Sequence, residues 1–89
     1  MKISFSYTNK KGETKERDVV VIHESPVAIA GFDMKYLDNA EKSKVMQVFG
    51  TKKPTPFPTG RTNVDYDKLG ISKDTFAKAF RRFNKESIL

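Results

Sequence analysis

The alternation of apolar and polar positions begins almost at once. Ile3, Phe5 and Tyr7 are separated by Ser4 and Ser6, the two-residue period of a half-buried strand. Asn9-Lys10-Lys11-Gly12-Glu13 interrupts it, and Gly12 supplies the left-handed backbone that a short hairpin loop needs. Residues 14–23 read as a second strand. Its first half is charged (Lys15, Glu16, Arg17, Asp18), and its second half, Val19-Val20-Val21-Ile22, is β-branched throughout. A run that is apolar on both faces predicts that both faces are covered there. Ser25-Pro26 breaks the run, and Val27 to Phe32 predicts a third strand with Gly31 as a bulge position.

Asp38-Asn39 predicts a turn. Lys44 to Phe49 fits a fourth strand or the end of a short helix from Ala40. The β-branched Val45 and Val48, with Gly50 beyond, favour the strand. Residues 50–63 form one irregular segment in which Pro54, Pro56 and Pro58 favour extended polyproline geometry. A loop of that length in so short a chain points to function or mobility.

The period changes once more near the end. Ser72 is a good N-cap, Asp74 sits where the helix dipole favours an acid, and Ile71 and Phe76 match a hydrophobic staple. Phe76, Ala79, Phe80 and Phe83 share one helical face, with Lys78, Arg81, Arg82 and Lys85 on the opposite one. A helix is predicted from Lys73 to about Asn84, within a helical region at 72–85. The fold expected is α+β: a hairpin-led, mostly antiparallel sheet of three to five strands with one amphipathic C-terminal helix. Phe76, Phe80 and Phe83 are expected to meet Ile3, Phe5, Tyr7 and part of Val19–Ile22.

Composition narrows the function. The chain of 89 residues is one domain's worth, so 1–89 is read as a single unit. It has no cysteine, which excludes disulfides, zinc thiolates and thiol nucleophiles and favours the cytoplasm. No apolar run approaches the length of a membrane helix, so no membrane partner is expected. Residues 1–41 carry six Lys/Arg and seven Asp/Glu, whereas residues 42–89 carry eleven and four, so the net charge of +6 is confined to the second half. Such asymmetry points to a polyanion partner, although a charge of this size also simply keeps a small protein soluble.

Enzyme signatures are scarce, and a non-enzymatic protein without cofactor is expected. His23 and Glu24 are strand neighbours that face opposite ways, so they make no dyad. Gly50, Gly60 and Gly70 are isolated and do not form a phosphate loop. Asp65 and Asp67 flank Tyr66 and can help hold magnesium, though metal-dependent nucleases assemble more acids than that. Leu69-Gly70-Ile71-Ser72 with Phe76 and Arg81-Arg82 resembles the turn and second helix of a helix-turn-helix. Only Asn63 to Lys68 is then left for the first helix.

Residues 3–19 resemble the opening hairpin of a WYL domain: a strand ending in Tyr7, a turn with Gly12-Glu13, then Arg17 before an apolar strand. The Trp-Tyr-Leu triplet that names that family is absent, and Val27-Ala28-Ile29 stands nearby. The resemblance implies a small, bent sheet like an SH3-like partial barrel, and a regulatory module that senses ligands or nucleic acid.

The partner expected is therefore DNA or RNA, bound through its backbone in a regulatory role by Lys52, Lys53, Arg61, Lys78, Arg81, Arg82 and Lys85. The alternative is a small accessory protein of phage type that binds and modulates a host protein. Pro54, Pro56, Phe57 and Pro58 are then the candidate partner contacts. A homo-oligomer that completes a lean core is the third reading.

Overall fold

In the computed structural model, Val19, Val20, Val21 and Ile22 are all buried, as their pattern requires, and they divide between two cores. The structure describes residues 1–58 and 66–88, Tyr66 by its backbone alone. Strands β1 (Lys2–Thr8), β2 (Thr14–Glu24), β3 (Ala28–Asp33) and β4 (Phe80–Asn84) form an antiparallel sheet in the order β1-β2-β3-β4. A 3-10 turn at Met34–Tyr36 follows β3. Helices α1 (Asn39–Phe49), α2 (Tyr66–Leu69) and α3 (Lys73–Ala79) come next in the chain, before β4. The α+β class and the antiparallel hairpin-led sheet are as expected.

Val20, Ile22 and Phe32 face the helical layer and pack with Met34, Leu37, Val45, Leu69, Ile71 and Ala79. Phe5, Val19, Val21, Ile29 and Phe83 make the core on the other face, edged by Ile3, Tyr7 and Ile88. Phe83 meets Phe5 and Tyr7 edge-on, at centroid distances of 5.3 and 5.0 Å. Phe76 and Phe80 instead meet Phe32 on the helical side. The Phe76–Phe80–Phe83 set thus splits between the two faces.

That split corrects the predicted C-terminal helix. α3 stops at Ala79, and Phe80 to Asn84 runs as a strand beside β3. Every residue of β3 is buried, so the backbone groups on its outer side need a partner strand. Pairing from Phe32–Phe80 to Ala28–Asn84 supplies one. Phe-Arg-Arg-Phe fits a helical stripe by spacing, but tertiary demand decides the outcome.

The predicted fourth strand is likewise replaced. Lys44 to Phe49 belongs to α1, which starts at a reciprocal cap: Asp38 Oδ1 accepts from Glu41 N (2.8 Å), and Asp38 N donates to Glu41 Oε1 (3.0 Å). Val45, Met46 and Phe49 then fall on the core side of the helix, and that packing outweighs the β-preference of two valines.

Gly31 is a close-approach site. The β2–β3 register shifts between Val21 and His23, and a Cβ at Gly31 would lie 2.8 Å from the carbonyl carbon of Val20 and closer still to its oxygen. The expected bulge is therefore on β2, opposite the glycine. Beyond the end of β1, the proline segment takes over pairing with β2: Thr55 N donates to Ile22 O (3.0 Å), and Glu24 N donates to Thr55 O (2.9 Å). At the other end of β1, Ile88 bridges to Tyr7.

Candidate nucleic-acid interface

The hairpin tip is built by local hydrogen bonding. Asn9 Oδ1 accepts from the backbone of Lys11 (2.9 Å) and Glu13 (3.0 Å), and Gly12 takes φ of 83°. This Asx-type turn leaves Lys10 and Lys11 exposed at the tip. Across an open depression of about 490 Å³, shared with Tyr7 and Asn9, lies Arg81. Glu13 also lines it, beside Lys15 at 3.9 Å.

Arg81 is held from its other side. Its Nη1 donates to the Tyr36 hydroxyl at 3.0 Å, and its guanidinium lies 5.3 Å from the Tyr36 ring centroid. Tyr36 is placed by the 3-10 turn, which Asp33 caps by accepting from Lys35 N (3.1 Å). Asp33 is fully buried and faces Arg17 Nη1 at 3.5 Å. Arg17 Nε is buried and has no hydrogen-bond partner among the described residues. A second depression of about 410 Å³ is lined by Tyr36, Lys78, Phe80, Arg81 and Arg82. The two hollows meet at Arg81, so four cations gather around one guanidinium.

The residues expected to bind polyanions therefore separate. Lys78, Arg81 and Arg82 come together, but not as one helical face. Only Lys78 lies on α3, while Arg81 and Arg82 alternate along β4. Arg81 pairs across from Gly31, and Arg82 leans to the other side, 5.7 Å from the Phe57 ring. Lys85 is ion-paired with Glu24 at 2.9 Å. Lys52 lies over Phe49, and its carbonyl accepts from the Met1 ammonium (2.9 Å), whose pKa burial lowers. Lys52 and Lys53 thus sit at the opposite end of β1 from the Tyr7–Asn9 hollow, about 20 Å along the strand. Arg61 lies outside the described residues, as do Gly60, Asn63 and Asp65.

Lys10, Lys11 and Tyr36 were not among the expected site residues. Lysines at a hairpin tip and a tyrosine after a capped turn carry no local signature of a shared surface. The proline segment is used by the fold itself. Thr55 pairs with β2, His23 Nδ1 lies 3.0 Å from Thr55 Oγ1, and Phe57 packs against His23 at 5.8 Å. Pro56 is exposed, and Pro54, Phe57 and Pro58 are half-buried. Among the described residues no three His, Cys, Asp or Glu groups converge as metal ligands, and no helix is long and apolar enough to cross a membrane. No family model, no curated protein and no solved structure matches this chain.

Proposed function

We propose that the protein binds DNA or RNA through its sugar-phosphate backbone, in a regulatory and non-catalytic role, at the surface centred on Arg81. The observation that carries this reading is the meeting of two depressions at Arg81, with Lys10, Lys11, Lys78 and Arg82 around it. Tyr36 holds the Arg81 guanidinium in place, so less side-chain freedom is lost when it engages a phosphate. Lysines at the rim supply mobile point charges. The WYL-like opening hairpin, whose tip carries Lys10 and Lys11, fits a nucleic-acid-sensing module.

The test is fluorescence anisotropy with duplex and single-stranded DNA and RNA across a salt series. Contact by five cations should give a log–log salt slope of roughly −4 to −5 on duplex DNA. Arg81→Ala, or Lys10→Ala with Lys11→Ala, should weaken binding and make the slope shallower by about one per charge removed. Lys52→Ala with Lys53→Ala should leave the slope unchanged. Absence of binding at low salt would sink the reading, as would an equal loss from the Lys52/Lys53 pair.

A further inference from the structure

The two edges of the sheet differ in what their backbones offer. Lys85 N donates to Val27 O (2.8 Å), one step beyond the Ala28–Asn84 pair. In an antiparallel ladder, alternate residues turn both polar groups to the same side. Arg81 and Phe83 therefore bond β3, while Arg82 and Asn84 turn their N–H and C=O groups outward. Among the described residues nothing pairs with those outward groups. On the opposite edge, in the stretch beyond β1, the same parity has the reverse effect. Thr55 spends its polar groups inward on β2, so the outward positions fall on Pro54 and Pro56, which have no N–H.

The β4 edge is also flanked by a hollow at each end. One holds Tyr36, Lys78, Phe80 and Arg82. The other, about 380 Å³, is lined by Pro26, Val27, Asn84, Lys85 and Glu86, and Val27 is 65% exposed.

We propose that the free edge of β4 receives an extended acidic segment of a partner protein by strand addition. The outward groups of Arg82 and Asn84 supply the main-chain ladder, and the flanking hollows receive alternate side chains. Lys78, Arg81 and Arg82 select carboxylates at one end. Exposed Val27 beside Pro26 accepts an aliphatic side chain at the other. A second copy fits this edge poorly, because Arg81, Arg82 and Lys85 of one strand would oppose the same cations of its twin. The proposal does not rest on the nucleic-acid reading, but it shares Lys78, Arg81 and Arg82 with it, so the two ligands should compete.

The probe is the peptide acetyl-Glu-Val-Glu-Ile-Glu-Val-Glu-amide, with its all-lysine counterpart as control. In the unsubstituted protein, hydrogen exchange at the amides of Arg82 and Asn84 should slow by at least about tenfold when the acidic peptide is added. Asn84→Pro removes one outward donor at a φ of −74°, which proline adopts, and leaves the inward ladder intact. It should weaken the peptide by at least about threefold, whereas Asn84→Ala should not. No protection at Arg82 and Asn84, or equal binding of the lysine peptide, would overturn the proposal. A dimer that forms with rising concentration and is lost in Asn84→Pro would also overturn it, by assigning the edge to a second copy.

Discussion

At one border of the sheet, Pro54 and Pro56 occupy the positions where a strand would turn its N–H groups to solvent, and Ile88 bridges to Tyr7 further along. At the other border, Arg82 and Asn84 present those groups. β4 has five residues and β1 seven, so length alone hardly distinguishes the borders. The difference is chemical. The proline segment that prolongs the β1 side lacks donors, which blocks a strand from pairing along that stretch, whereas the β4 side keeps its donors and relies on positive charge to repel its own kind. Charge repels a like strand and attracts an acidic one, so the β4 border is selective where the proline segment is closed.

The largest expected effect comes from the strand on which the β4 border depends. Gly31 pairs with Val21 on one side and Arg81 on the other, and a Cβ there would overlap the Val20 carbonyl. Since the obstruction is backbone, β2 and β3 must separate, and Gly31→Ala should cost about 3 kcal/mol by urea denaturation. A loss below about 1 kcal/mol would mean that the two strands can part freely and that the β4 border is not held in place. Next in size is a matched pair of proline substitutions. Thr55→Pro deletes an inward donor bonded to Ile22 O and should cost about 2 kcal/mol, while Asn84→Pro deletes an outward one and should change stability by no more than about 0.5 kcal/mol. Equal costs would break the inward–outward distinction on which the comparison rests.

How much of this was legible in the sequence depends on where each signal lives. β1, β2 and β3 were legible because their period and their β-branched runs are local. The N-terminus of α3 was legible for the same reason, since Ser72 accepts from Thr75 N as a cap should. β4 was not, because Phe80-Arg81-Arg82-Phe83 satisfies a helical stripe and a strand equally, and only the unpaired side of β3 decides between them. α1 was half-legible: a short helix from Ala40 was one of two readings of Lys44 to Phe49, but two valines and a following glycine argued for the strand. Of the candidate surface, Lys78, Arg81 and Arg82 stood out as clustered charge, though for a helical geometry they do not have. Lys10, Lys11 and Tyr36 join them only through the return of β4 to the sheet, a tertiary event with no local trace. The proline segment was conspicuous, yet its alternation matters through the parity of a strand whose pairing partner lies some thirty residues away.

A double substitution in the proline segment is the most direct test of that parity. Pro54→Val with Pro56→Val restores two outward N–H groups while Thr55 keeps its bonds to Ile22 and Glu24. Each proline removed loosens the unfolded chain, so the double variant should lose about 1–2 kcal/mol in all. Its border would then carry donors flanking Thr55 beside exposed Lys53, where β4 has the two adjacent arginines Arg81 and Arg82. Such a border should pair, and sedimentation across a concentration series should show a dimer that the unsubstituted chain does not form. Adding Asn84→Pro to the double variant identifies the pairing surface. A dimer that survives joins two reopened β1-side borders, whereas one that dissociates joins that border to β4. A double variant that stays monomeric at every concentration would show that the prolines do not guard this stretch of the edge.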